Sequence, residues 1–150
     1  MKIAIANDHA AVELKKEIIA LLEEMGIEYI NFGTDSTKRV DYPVYAQKAA
    51  LAVAKGECSL GIVLCGTGIG VSLAANKVKG IRCALCSEPY SAKMAREHNN
   101  ANMLAMGARV IGSELAKMTA QTFLQTEFLG ERHSRRVELI SRIEEGEILY

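Results

Sequence analysis

The residues best suited to chemistry lie in the stretch VLCGTGIGVSL at 63–73, where a cysteine ends an apolar segment and closely spaced glycines follow. Glycines allow sharp bends and close approach of the backbone, so the N–H groups of this stretch can converge on one point. With a helix beginning next, that arrangement predicts a site for an anion or an oxyanion. A helix N-terminus also favours the thiolate of Cys65, and Thr67 adds a hydroxyl group. The stretch therefore predicts Cys65 as a base or a nucleophile beside an oxyanion site.

Familiar cofactor and metal motifs fit this sequence poorly. The glycines of GTGIG miss the dinucleotide spacing G-x-G-x-x-G by one position, and they follow the third apolar segment, whereas the fingerprint usually follows the first. Glu88 lies at a distance suited to a ribose-binding acid, so a dinucleotide site stays open as an alternative. Cys83 and Cys86 have C-x-x-C spacing, but in a predicted strand they point to opposite faces and are expected to pack in the core.

Histidines and arginines supply further candidates. His9 follows Asp8 in a loop, and His98 ends a predicted helix, where capping explains it as well as catalysis does. Arg132 and Arg136 are four residues apart on one helical face in the basic stretch GERHSRRVE, which also contains His133. Such density predicts a phosphate site, although a solvated basic face is the common alternative. The histidine spacing predicts no metal site.

Composition limits the classes of partner. The 150 residues predict a single domain over 1–150. Lysine plus arginine and aspartate plus glutamate number 18 each, which favours neither nucleic acid nor an anionic membrane surface as a partner. No apolar run approaches the ~20 residues needed to cross a bilayer, and the N-terminal residues lack a signal-peptide core. A cytoplasmic location is expected.

Apolar strands alternate with amphipathic helices along the chain, a pattern typical of an α/β protein. Asp41 and Ser87 are predicted to cap two of the helices. We expect a three-layer α/β/α, Rossmann-like, open parallel five-stranded sheet with an extra C-terminal helix. Strands are predicted at 2–6, 27–33, 59–65, 80–86 and within 103–112, and helices at 10–25, 42–56, 71–78, 87–99, 113–128 and 134–149.

The carboxyl ends of such strands meet at one edge of the sheet, where ligands bind near the point at which strand order reverses. This rule gathers Asp8, His9, Cys65 with its glycines, Glu88 and Arg109. A base and an oxyanion site without a cofactor fingerprint suit proton abstraction next to a carbonyl. The arginines suit a phosphorylated substrate.

The motifs NDHA, DYP, CGTGIG, AANK, GIR, CSEPYSA, REHNNAN and GERHSRR occur in this order along the chain. Together they resemble the type B ribose-5-phosphate isomerases, in a wider group that includes galactose-6-phosphate isomerase subunits. The resemblance implies interconversion of D-ribose 5-phosphate and D-ribulose 5-phosphate through an enediolate, in the pentose phosphate pathway, without metal or cofactor. It also implies a homodimer whose active sites are built from both subunits, and pairing of dimers into tetramers stays open.

The resemblance also implies a role for each matching residue. Cys65 is the implied base that moves the proton between C2 and C1. The galactose-6-phosphate relatives lack this cysteine, so its presence favours the ribose enzyme. Alternatives that stay open are isomerisation of a six-carbon aldose phosphate, such as allose 6-phosphate or galactose 6-phosphate, and a nucleotide-binding module. The implied catalytic residues are Cys65, His98 and Thr67, and the implied substrate-binding residues are Asp8, His9, Gly66, Gly68, Ile69, Gly70, Asn99, Arg109, Arg132 and Arg136.

Overall fold

The computed structural model describes residues 1–150 as a five-stranded parallel sheet with helices on both faces, which confirms the predicted fold class and the extra C-terminal helix. None of the helices has the length and apolarity needed to span a membrane. The strands are β1 (Lys2–Asn7), β2 (Glu28–Asn31), β3 (Leu60–Cys65), β4 (Cys83–Leu85) and β5 (Met103–Gly107). The helices are α1 (Val12–Glu24), α2 (Tyr42–Ala54), α3 (Ile69–Ala75), α4 (Pro89–Asn99), α5 (Ser113–Gln125) and α6 (Arg132–Glu144).

Two separate apolar cores lie on the two faces of the sheet. Helices α1, α4 and α5 cover one face, where Ile18 and Phe123 are fully buried. Helices α2 and α3 cover the other face, mostly through alanines such as Ala46 and Ala50. Every residue of β3 is buried, as expected for a central strand covered on both sides. A strand held in this way provides a rigid base for the residues that follow it.

The strand order β2-β1-β3-β5-β4 decides which loops become neighbours. From β1 the chain moves to β2 on one side, and it then crosses back over β1 to form β3 on the other side. The order of the strands therefore reverses between β1 and β3. Asn7 pairs with Leu64, and Cys65 pairs with Gly107, which brings the ends of three strands level. The loops after β1, β3 and β5 therefore meet at one edge of the sheet, at the position where ligands bind in such folds.

Several predicted boundaries were wrong. The fourth strand was expected over 80–86, but only Cys83–Leu85 pair, because β4 is an edge strand with β5 as its single partner. Ser87 is not the cap of α4: the cap is Glu88, which accepts hydrogen bonds from two amides of the first turn. Asp41 occupies the cap position of α2, but its side chain makes no capping hydrogen bond.

Helix α6 packs against α4, and its C-terminal part lies near the loop that precedes the edge strand β4. Its far end is held by Glu144, whose carboxylate accepts a hydrogen bond from the backbone N–H of Gly80 at 3.0 Å. Its apolar residues are poorly covered within the chain, since Ile140 and Ile143 are 44% and 57% exposed. The first turn of α6 is different, because His133 there is buried.

Candidate active site

Asp8 and His9 follow β1 at the predicted edge. The backbone N–H of Asp8 donates to the carbonyl of Leu64 at 3.1 Å, which fixes the loop to β3. Its carboxylate accepts from the N–H of Ala10 at 2.9 Å and is almost fully buried. Nδ1 of His9 accepts from the backbone N–H of Val40 at 3.3 Å. That acceptor role places the proton of a neutral His9 on Nε2, which is left as a donor.

Cys65 ends β3 as a free, buried thiol. Its Sγ accepts a hydrogen bond from the backbone N–H of Gly68 at 3.1 Å. An N–H directed at sulfur is a favourable partner for a thiolate, because it places a positive dipole end against the charge. Thr67 is exposed beside it, and its hydroxyl accepts from the N–H of Ile69 at 3.3 Å. The structure thus places the thiol against the glycine loop, as the sequence predicted.

The glycines are required by how closely this loop packs. Gly68 has φ of 78°, the left-handed conformation. A Cβ on Gly68 would lie 2.8 Å from the carbonyl carbon of Met106, and one on Gly107 would lie 2.5 Å from that of Thr67. The loop therefore lies directly on the backbone of β5, and no other residue fits at either position without movement of the main chain.

Arg109 and Tyr42 complete this edge. The backbone N–H of Arg109 donates to the carbonyl of Gly66 at 2.9 Å, and its side chain lies across that glycine. The ring of Tyr42 covers Gly70 so closely that a Cβ there would lie 2.6 Å from it. Tyr42 is not among the residues predicted from the sequence, because only folding brings it to the loop. We call the set Asp8, His9, Tyr42, Cys65–Gly70 and Arg109 the carboxyl-edge cluster.

A second group of predicted residues surrounds the end of α4. The rings of His98 and His133 stack, with their centroids 4.2 Å apart and their planes 8° apart. Sequence analysis counted His133 with the cations, but burial, with His98 and the neighbouring arginines, lowers its pKa, so this imidazole is neutral at neutral pH. We call the set His98, Asn99, Arg132, His133 and Arg136 the α4–α6 cluster.

The two clusters lie at opposite ends of the sheet within one chain. Helix α4 runs back antiparallel to the strands, so it ends near the point where β3 begins. There the N–H of Gly61 donates to the carbonyl of Asn102, and Nε of Arg82 donates to the carbonyl of Asn99. The five residues of β5 alone span about 15 Å between these ends. The structure therefore does not bring His98, Asn99, Arg132 and Arg136 to the Cys65 of the same chain.

The remaining candidates have structural roles. Hydrogen bonds from Ser91 and from helix amides hold the pKa of Glu88 below its ordinary value, and both of its oxygens cap α4, which removes the support for a ribose-binding acid. Burial raises the pKa of Cys83 to about 12 and that of Cys86 to about 11, and the two thiols pack in different cores, as expected. No group of three or more His, Cys, Asp or Glu side chains is placed to share a metal ion.

The fold and the carboxyl-edge cluster together define an open-sheet α/β protein with a thiol beside a glycine loop. Comparison with known proteins makes the class specific. The family model for ribose/galactose isomerases matches residues 3–140, and the chain belongs to this family. The resemblance found in the sequence motifs is thereby confirmed.

The relatives match the chain along nearly its full length. Ribose-5-phosphate isomerase B of Escherichia coli (strain K12) is 54% identical over 96% of this chain and 97% of its own. Galactose-6-phosphate isomerase subunit LacB of Clostridium acetobutylicum is 39% identical over 97% of this chain and 83% of its own. The solved structure of Clostridium thermocellum ribose-5-phosphate isomerase B is 52% identical, has a TM-score of 0.96 and covers 97% of this chain and 99% of its own.

Proposed function

We propose that this protein is a cytoplasmic, single-domain aldose–ketose isomerase that interconverts D-ribose 5-phosphate and D-ribulose 5-phosphate. The observation that carries the proposal is the Cys65 thiol, free at the end of β3 and hydrogen-bonded through Sγ to the N–H of Gly68. A base beside backbone donors suits proton transfer next to a carbonyl, since the enediolate that forms carries its charge on oxygen. Relatives named for this substrate reach 54% identity.

In the proposed reaction Cys65 removes the proton from C2 of the open-chain aldose. The electron pair of that C–H bond forms the C1–C2 double bond of the enediolate, and the carbonyl π electrons move to O1. Thr67 and the amides of Gly66 to Gly70 hold the two oxygens, a proton moves from O2 to O1, and the thiol returns its proton to C1. The negative charge passes from the sulfur to oxygens that the backbone N–H groups of the glycine loop hold, so the proposed step requires no metal or cofactor.

The other predicted residues bind and open the sugar. Asp8 offers its buried carboxylate to sugar hydroxyls, and His9 offers the donor at Nε2. His98 acts as the proton donor that opens the furanose ring. Asn99 binds the sugar, and the phosphate is held by Arg109, Arg132 and Arg136.

This assignment requires a second copy of the chain. His98, Asn99, Arg132 and Arg136 lie at the far end of the sheet from the Cys65 of their own chain, so a homodimer with composite sites is part of the proposal. The apolar face of α6, with Ile140 and Ile143 exposed, supports the presence of a partner. Two-fold symmetry would then build two identical sites, each with the glycine loop of one copy and the α4–α6 cluster of the other.

The activity is tested by NMR in D2O with EDTA present, following the formation of ribulose 5-phosphate and the entry of deuterium at C2 of ribose 5-phosphate. We expect turnover with exchange in the unmodified protein. Cys65→Ala should lose at least about 100-fold in kcat, the usual contribution of a general base. Cys83→Ala, outside the carboxyl-edge cluster, is the matched control and should keep its activity. Full activity in Cys65→Ala would remove that residue from the base role.

The composite site is tested by mixing two inactive variants, Cys65→Ala and His98→Ala, under conditions in which subunits exchange. A mixed dimer then contains one site with both residues intact. When equal amounts of the two variants pair at random, half of the dimers are mixed. Each mixed dimer has one intact site of two, so about a quarter of the unmodified activity should return. No return in a mixture shown to contain mixed dimers would mean that each site lies within one chain.

A six-carbon aldose phosphate is the second candidate substrate, favoured by the similarity to a galactose-6-phosphate isomerase subunit. Comparison of kcat/KM for ribose 5-phosphate, allose 6-phosphate and galactose 6-phosphate decides between them, because kcat/KM ratios measure discrimination at the transition state. We expect the five-carbon substrate to have the highest value. A higher value for either six-carbon substrate would reassign the enzyme.

A further inference from the structure

We propose that His133 is a positioning residue, whose buried ring holds the imidazole of His98 in the plane and place needed for ring opening. The inference rests on the proposed function and extends it to a residue whose ring touches His98. The planes of the two rings are within 8° of parallel, and their centroids are 4.2 Å apart. Tilting the His98 ring about its Cβ–Cγ bond would therefore break this contact. A stack of this kind holds the plane of the His98 ring.

The burial of His133 is unusual for its helix. It is 6% exposed and is the single buried residue of α6, while the apolar Ile140 and Ile143 remain exposed. Burying a polar ring costs free energy unless it is hydrogen-bonded. The one side-chain hydrogen bond of His133 is a long one of 3.5 Å, donated by Nε of Arg132. The stack on His98 is the aromatic contact that this ring makes.

Backbone contacts hold α6 in the position that makes the stack. The N–H of Leu129 donates to the carbonyl of Glu97, the residue before His98, at 3.1 Å. Glu131 has φ of 48° and ψ of −124°, a backbone conformation that residues with a Cβ rarely adopt. That conformation turns the chain so that α6 begins directly over the end of α4.

The surroundings of the stack act on the pKa of His133. Burial is the largest cause that lowers the pKa of His133, and the positive charges of His98, Arg132 and Arg136 lower it further. Glu131 at the start of α6 acts in the opposite direction. A neutral His133 presents the face of its ring to His98 and adds no second positive charge beside it.

Ring opening is the one step that needs this acid. The bond between C1 and the ring oxygen breaks, the ring oxygen takes a proton from His98, and the C1 hydroxyl loses its proton to water, which leaves the aldehyde. Ribulose 5-phosphate has no such ring, because the hydroxyl that would close it carries the phosphate. Loss of the stack should therefore impair turnover of ribose 5-phosphate and spare proton exchange at C1 of ribulose 5-phosphate.

The experiment compares His133→Ala with His133→Phe, which keeps a flat, neutral ring. For each variant, kcat is measured with ribose 5-phosphate, and hydrogen–deuterium exchange at C1 of ribulose 5-phosphate is followed by NMR in D2O. We expect His133→Ala to lose about tenfold or more in kcat with exchange within about twofold of the unmodified protein. His133→Phe should recover most of the lost turnover. Circular dichroism and thermal unfolding confirm that both variants are folded.

Three results would overturn the inference. Unchanged kcat in His133→Ala would show that the stack is not needed, and equal losses of turnover and exchange would show a general structural effect. A His133→Phe variant as impaired as His133→Ala would show that the polar atoms of the ring, and not its plane, are required. Failure of the proposed function itself is distinct, since the unmodified protein would then show neither turnover nor exchange.

Discussion

Replacement of Gly68 by alanine tests whether the glycine loop can adopt another backbone conformation. Gly68 has φ of 78°, and the left-handed conformation costs a residue with a Cβ about 1–2 kcal/mol. The added methyl group would lie 2.5 Å from Cδ1 of Leu85 and 2.8 Å from the carbonyl carbon of Met106, which is backbone and cannot rotate away. Overpacking of this kind costs about 1–3 kcal/mol. We therefore expect Gly68→Ala to lose about 2–5 kcal/mol of unfolding free energy.

Substitutions at three other glycines measure the conformational cost and the packing cost separately. Gly26 has φ of 65° and open space around it, so Gly26→Ala should show the conformational cost alone, about 1–2 kcal/mol. Gly107→Ala would bring a methyl group within 2.5 Å of the Thr67 carbonyl carbon without positive φ, so it should show the packing cost alone, about 1–3 kcal/mol. At Gly66 the nearest atom would be 3.5 Å away, and Gly66→Ala should change stability by less than about 0.5 kcal/mol.

Urea unfolding followed by circular dichroism measures all four variants, at one protein concentration because subunit association raises apparent stability. The reasoning would be refuted if Gly68→Ala were no less stable than Gly26→Ala, since the loop would then have room that the structure denies. A folded Gly68→Ala protein should also lose activity, because the N–H that donates to Sγ of Cys65 must move with the displaced loop.

Three further predictions concern side chains outside the glycine loop. Glu88→Ala should lose about 1 kcal/mol of unfolding free energy, the usual value of a helix cap, whereas Ser87→Ala should lose almost none, and urea midpoints measure both. A hydrogen bond from Lys15, together with the charge of Lys15, lowers the pKa of Asp35 from 3.8. The Lys15–Asp35 pair therefore stabilises the fold above that pH, and this stabilisation is lost as the pH falls through the lowered pKa. Asp35→Asn should accordingly flatten the loss of stability below about pH 4, measured by urea unfolding at a series of pH values, and an unchanged slope would contradict the pairing. Cys83, with its pKa raised to about 12, should react far more slowly at pH 8 with a disulfide reagent in the native protein than in urea.

Local signals made much of the fold predictable. The run at 59–65 is apolar at nearly every position because β3 is covered on both faces, and β3 is found at Leu60–Cys65. The fourth strand was overestimated because strand length depends on the partner, and β5 offers β4 only three paired positions. Strand order is set by tertiary pairing, which no local pattern in the sequence reveals.

The candidate site also has a part that local sequence predicts and a part that only the fold reveals. Cys65 and its glycines are adjacent in sequence, so their spacing alone indicated a thiol beside a close-packed turn. Tyr42 and His133 act on Gly70 and His98, residues about 30 positions away along the chain, and only the fold brings them into contact. The sequence also could not show that His133 is buried, and burial lowers the pKa of this residue, which was counted with the cations.

The position of β5 between β3 and β4 also dictates an order of assembly. When residues 83–85 leave the ribosome they have no strand to pair with, because their partner at 103–107 is synthesised about twenty residues later. About 40 residues separate β3 from β5, so at typical elongation rates of about 5–20 residues per second β3 keeps one unpaired edge for about 2–8 s, and an open edge of this kind is a template for aggregation. Insertion of β5 closes that edge and captures β4 in a single event. The newly made chain is therefore most vulnerable to misassembly just before its fifth strand emerges.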